Sequence, residues 1–178
     1  MEVVEGHLEV DDLDAVLERL GAIGAEHDVA IQAFDARYVT GREHLRRACK
    51  LADRAHAREE MIAHDPEVEI LLYAAGRRQI QDALAMGVSQ GQQPAVIVCH
   101  AVGDRQNGDG DENVSERERA AGEVVEAMEC LDRADTLGAA DPDLVAAFFD
   151  IADAERAATD ATLSELVLER VAMLVVEK

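Results

Sequence analysis

The chain contains no tryptophan, and its aromatic residues amount to only 3% of the total. Packing must therefore rest on aliphatic side chains and alanine. Cysteine is scarce as well. Cys49, Cys99 and Cys130 are isolated, odd in number and without C-x-x-C spacing. That excludes a disulfide framework or a zinc site of paired cysteines, and fits buried thiols in a reducing cytoplasm. No apolar run approaches the ~18 residues expected of a membrane span. The opening MEVVEGHLEV has no basic segment ahead of an apolar one, so it does not read as a secretory signal. Positive charge is in short supply: 17 Lys and Arg stand against 38 Asp and Glu, for a net charge of -21. Lysine is nearly missing, with Lys50 and Lys178 its only occurrences.

What is present is a chain of 178 residues with a hydrophobic share of 48%, enough for one domain with a real core. Such acidity commonly marks a disordered chain or one that repels nucleic acid. Disorder is excluded by the high and periodic apolar content. Acid excess, few lysines and small apolar residues together resemble proteins of salt-in halophilic archaea. At ~1 M salt the screening length is only ~3 Å, so surface self-repulsion is largely suppressed. The charge then reads as a signature of habitat more than of function.

Patterning predicts a mixed α/β (α+β) single domain, a central sheet of four to five strands flanked by helices with a helical C-terminal third. Strands are expected at 2–10, 29–39, 68–75 and 95–102. The third is a near-continuous apolar run, which implies burial on both faces. Leu13, Val16, Leu17 and Leu20 lie at helical spacing after Asp11, Asp12 and Asp14, with Gly21 or Gly24 as the stop. A long helix is predicted over 42–62, ended by the HDPE at 64–67. A short one is predicted over 77–86, with Ile80, Ala83 and Leu84 inward. Residues 103–114 read as a flexible acidic insertion. Ser115 and Glu118 match a capping box ahead of a helix to Arg133. Asp141 and Pro142 open another helix, and 159–173 forms the last. That last helix has more apolar surface than one face needs. It is either a central core helix or carries a protein-binding surface in Val167, Val171 and Leu174.

No catalytic motif emerges. AAGRRQ lacks the second glycine and the Lys-Ser/Thr pair of a phosphate-binding loop, and G-x-S-x-G does not occur. The six histidines are scattered, and the acidic loop fails the calcium-loop pattern with either Gly108 or Gly110 at its sixth position. No metal ligand set, cofactor or catalytic residue is assigned. What remains is basic. Arg42, Arg46, Arg47, Lys50, Arg54 and Arg58 put six of the 17 positive charges on one predicted helix. Arg46, Lys50, Arg54 and Arg58 follow at i, i+4 and form a stripe. Either they pair with Glu43, Asp53 and Glu59 as a solvated face, or they track phosphates. Arg77 and Arg78 sit where a helix is expected to start. Cations there are unfavourable by roughly 0.3–1 kcal/mol. A bound anion would reverse that sign; otherwise both arginines bend away to surface acids.

The stretch EILLYAAGRRQIQDALAMGV at 69–88 resembles the signature of the smallest regulatory subunit of the KEOPS complex, the PRPK-binding protein family. LSELVLERVAML at 163–174 resembles that family's closing helix, and 32–55 fits its second strand and long helix. The resemblance spans most of the chain, leaving 103–114 as an insertion. It implies a non-enzymatic role. KEOPS places the threonylcarbamoyl group on the adenosine next to the tRNA anticodon. The subunit in question binds the kinase-like ATPase subunit, promotes activity and, in archaeal members, binds the tRNA 3′ CCA end. On that reading Arg77, Arg78, Gln79, Arg46, Lys50 and Arg54 are the expected tRNA-binding residues, and Val167, Val171 and Leu174 the expected contacts with the kinase-like subunit. The protein is expected in the cytoplasm, without membrane or cofactor. Two other readings stand beside it: an acidic interaction scaffold without RNA contact, and a small anion-binding enzyme.

Overall fold

A computed structural model describes residues 1–103 and 111–174. Strand β1 (Glu2–Val10) leads into α1 (Leu13–His27), β2 (Ala30–Asp35), a 3-10 turn at Ala36–Tyr38 and α2 (Arg42–Ala57). Then come α3 (Pro66–Ala75) and the short α4 (Ile80–Ala83), continued by a 3-10 turn at Leu84–Met86. The chain finishes with β3 (Gly91–His100), α5 (Asp111–Glu126), β4 (Leu131–Arg133), α6 (Pro142–Phe148), α7 (Asp153–Ala157) and α8 (Leu163–Met173).

The four strands form one sheet in the order β2-β3-β1-β4, each neighbouring pair antiparallel. β1 and β2 both run against β3 between them, and β3 and β4 both run against β1. So α1 and α5 each carry the chain across one intervening strand, giving two interlocked split β-α-β units. Strand alternation sorts the core into two layers. Val4, Leu8, Ile31, Ala33, Ile97 and Cys99 face α1 and α5. Val3, Phe34, Val96 and Val98 face α2, α3 and α8. The mixed α+β single domain with a four-stranded sheet matches the expectation.

The expected strand at 68–75 is instead the core of α3. Its apolar run is buried all round, with Ile70 to Ala75 each at most 3% exposed. Continuous apolarity marks burial but does not choose between strand and helix. The ends decide. Pro66 stands in the first turn, where its missing N–H costs nothing, and Glu67 and Glu69 favour the positive end of the helix. Gly76 closes it in the left-handed region at φ 60°, with the amides of Gly76 and Arg77 donating to Tyr73 and Leu72. A fourth expected strand becomes β3, which begins at Gly91, ahead of Pro94.

Other boundaries moved for local reasons. α1 runs past both glycines to His27. β2 stops at Asp35, whose carboxylate accepts the Arg37 amide and starts the 3-10 turn. α2 stops at Ala57, because Glu59 adopts φ 56°. The chain after it is held by the buried Glu69 carboxylate, which accepts the amides of Ile62 (2.9 Å) and Ala63 (2.7 Å). The capping box expected at Ser115 is absent: α5 begins at Asp111 and Ser115 lies inside it. The helix expected to reach Arg133 ends at Glu126, and Leu131 to Arg133 pairs with β1 as β4. Of the expected acidic insertion, residues 104–110 lie outside the described residues. α8 is narrower than expected, its capping box made by Thr162 and Glu165.

Candidate functional site

α2 turns Leu45, Ala48, Cys49, Ala52 and Ala55 into the core. Its arginines and lysine are left on the outer face, where Arg42, Arg46, Arg47, Lys50, Arg54 and Arg58 are all exposed. Arg46 pairs with Glu43 at 2.5 Å. The side chains of Arg42, Arg47, Lys50, Arg54 and Arg58 make no ion pair or hydrogen bond with a described residue. Asp53, one of the acids expected to neutralise them, is taken elsewhere. Its carboxylate meets His100 Nε2 at 2.9 Å and the Gly103 amide at 3.0 Å. Lys50, Asp53, Arg54, Ala57 and Arg58 line a hollow of about 510 Å³ on this face.

The two neighbouring arginines have opposite fates. Neither opens a helix, since α4 starts only at Ile80. They follow the C-terminal end of α3, where a helix presents partial negative charge and cations are favoured. The apparent breach of a local rule therefore vanishes. Arg77 is half-buried and structural. Its guanidinium donates to the Phe148 carbonyl, pairs with Asp150 at 2.9 Å and lies over the Phe148 ring, 5.4 Å from the centroid. Arg78 is exposed and has no such partner among the described residues. Gln79 is exposed too, its carbonyl accepting the Asp82 and Ala83 amides.

Arg78 and Arg54 of the α2 stripe both act on Tyr73. The Tyr73 hydroxyl is raised by burial and by Glu69, while Arg78 and Arg54 both pull it down. Two cations from separate elements thus act on one phenol. Arg54 and Arg78 thus each lie within electrostatic reach of Tyr73, whereas Arg77 is held by the C-terminal third.

Val167 and Val171 are fully buried and Leu174 is 2% exposed. They pack in the same core layer as α2 and α3. An exposed apolar surface built from these three is thus excluded, and the core reading of the last helix is the right one. Among the described residues the exposed large apolar ones are Leu17, Ile80, Leu84 and Met173. Ile80 and Leu84 were expected to face inward, and Leu17 was counted in the helical apolar spacing of α1. Both of their helices carry more apolar residues than one buried stripe holds, which was the available signal.

A second arrangement escaped the sequence entirely. Buried His100 bridges Asp53 on α2 and Glu118 on α5, the latter at 3.1 Å from Nδ1. Burial alone would lower this imidazole, but the hydrogen bonds to both carboxylates outweigh it and hold it above the ordinary value. Burial would raise Glu118, yet bonds from His100, the chain's first amine and the Ala101 amide draw it down to about 2. His44 is the contrasting case. It is buried between α2 and α3, meets the Ala74 carbonyl at 2.8 Å and is pushed down to about 4 by desolvation. Residues 53, 100 and 118 are too far apart in sequence for any spacing rule. Among the described residues no three His, Cys, Asp or Glu side chains are placed to hold a metal ion. No described helix is long and apolar enough to cross a membrane.

These features define a small α+β protein that offers surfaces, a cationic helix face above all, in an otherwise acidic chain. The model of the family described as kinase binding protein CGI-121 matches residues 9–174, and the chain belongs to that family. Its members are described as kinase-binding proteins, which gives the partner class. Among curated proteins none matches the chain.

Proposed function

We propose that this chain is a non-catalytic regulatory subunit of a KEOPS complex in the cytoplasm of a halophilic archaeon. It binds the kinase-like ATPase subunit and the tRNA 3′ CCA end, and so promotes threonylcarbamoyl modification of the adenosine next to the anticodon. The kinase-binding family supports the first partner. The observation that carries the second is the largely unpaired cationic face of α2, with Arg78 a further exposed cation that pairs with no described residue.

Phosphate contacts weaken steeply with salt. In molar salt an acidic protein needs directed contacts in place of bulk attraction. Single-stranded ends offer base edges and stacking faces. Planar guanidiniums at Arg54 and Arg78 and the two-sided amide of Gln79 suit those better than ammonium groups. Arg46 and Lys50 extend the same face along the backbone, and Arg77 positions the turn without facing the RNA.

The test is binding of Arg54→Glu/Arg78→Glu to tRNA with and without its CCA end. The variant should lose affinity for the intact tRNA and bind the truncated one as weakly as the wild type does. An unchanged affinity for intact tRNA would leave an acidic kinase-binding scaffold without RNA contact.

A further inference from the structure

β2 is an edge strand of the sheet, and what lies along its free side is a groove of about 640 Å³. Ile31, Gln32 and Ala33 form the floor, Leu13, Leu17 and Gly21 of α1 one wall, and Val68 and Leu71 of α3 the other. Leu84, Gly87 and Val88 close one end. Gly87 bridges to β2 at Phe34, and no other described segment pairs with that side. Edge strands that stay single are usually blunted by lysine, proline or a bulge, because their open amides and carbonyls recruit other strands. β2, with the sequence AIQAFD, carries none of these. Of the four large apolar residues exposed among the described residues, Leu17 at 47% and Leu84 at 57% line this groove, and Ile80 lies one turn before Leu84.

We infer that this groove is where the kinase partner docks, by adding an extended apolar segment carrying Lys or Arg to the free edge of β2. The inference rests on the kinase-binding reading and adds the surface and the chemistry. Charge selects this occupant over a second copy of the chain. The rim carries Asp28, Asp65 and Glu67. Asp28 pairs with Arg117 at 2.5 Å, whereas Asp65 and Glu67 make no side-chain hydrogen bond or ion pair with a described residue. Two such rims brought face to face in a symmetric pairing would bury unpaired carboxylates against one another, and charges buried at a contact are screened far less than exposed ones. A basic segment instead finds carboxylates flanking an apolar slot.

The probe is the purified kinase-like subunit of a haloarchaeal KEOPS complex, titrated with the full chain at molar salt. Leu17→Glu and Leu84→Glu alter exposed side chains and should each weaken binding by about tenfold or more, as central apolar contacts do. Glu67→Lys should weaken it too. Met173→Glu, exposed but remote from the groove, should bind as the wild type does. Amide exchange at Ile31 and Ala33 should slow in the complex, which an apolar contact without strand addition would not cause. Groove variants that bind like the wild type, or unchanged exchange at β2, would overturn the inference and leave the kinase-binding reading intact. A wild-type chain that binds no kinase-like subunit would overturn both.

Discussion

Two populations of cations share this acidic chain. Those outside α2 are mostly clasped: Arg37 by Asp35, Arg77 by Asp150, Arg117 by Asp28, Arg133 by Glu126 and Arg170 by Glu155. His100 is the extreme case, enclosed by two carboxylates. On α2 the pattern inverts, and Arg46 is the paired member of an open set that Arg78 joins. Arg19 is the described exception, exposed and unpaired on α1. With 38 acids in the chain against 17 Lys and Arg, an unpaired cation is not explained by a shortage of acids. The difference teaches that one set of cations holds elements together and the other is kept available. Substitutions in the first should register as stability, in the second as binding.

The largest effect is expected at His100. Its removal takes the shared cation from two carboxylates, and breaking a buried charge pair costs about 3 kcal/mol or more. His100→Ala should therefore lower the unfolding free energy by about 3 kcal/mol at pH 6. The pH dependence has a definite sign. A raised imidazole contributes stability that is whole below its unfolded value of about 6.5 and is lost as pH climbs through its folded value. The gap between wild type and variant should shrink on the alkaline side. Glu118 acts at the other end, since its contribution is lost as pH falls toward about 2. Denaturation midpoints across pH measure both. A gap that widens above neutrality would remove His100 from the clasped set.

Next comes the neighbouring pair. Arg77→Ala loses the bond to the Phe148 carbonyl and the stacking on its ring, worth about 2 kcal/mol together. Arg78→Ala should stay within about 0.5 kcal/mol of wild type, as exposed substitutions do. Equal losses at the two positions would erase the distinction between them.

That pair also shows how far sequence reasoning reaches. β1 was legible from end to end, as were the start of α1 and the Asp141-Pro142 opening of α6, because their signals are local. The cationic stripe of α2 was legible because helical spacing alone puts it on one face. The α3 run was legible as buried and illegible as helix, since burial on all sides removes the periodicity that separates the two. Whether Arg77 was bound or free depended on Phe148 and Asp150, more than 70 residues on. The same long range hid the His100 bridge and left open whether Val167, Val171 and Leu174 were core or surface.

A smaller effect tests what kind of contact the open set makes. Arg54→Lys/Arg78→Lys keeps both charges and loses both planar forks. At molar salt its affinity for tRNA should fall about tenfold, or about 1.4 kcal/mol. At low salt the loss should be less, because point charges then suffice. Equal affinity at molar salt would mean that charge alone carries the interaction.

The smallest effect decides whether pairing or burial is what clasps a cation. Arg46 is paired with Glu43, but both side chains are about half exposed, at 48% and 56%. An exposed helical pair three residues apart is worth about 0.3 kcal/mol. Arg46→Ala should therefore move the denaturation midpoint scarcely more than Arg47→Ala, its unpaired neighbour. If so, Arg46 belongs with the open set despite its partner, and an RNA phosphate can take it from Glu43 at little cost. A loss above 1 kcal/mol would place it with Arg77 instead. The free part of the i, i+4 stripe would then begin at Lys50, and the RNA path along that stripe would be a turn shorter.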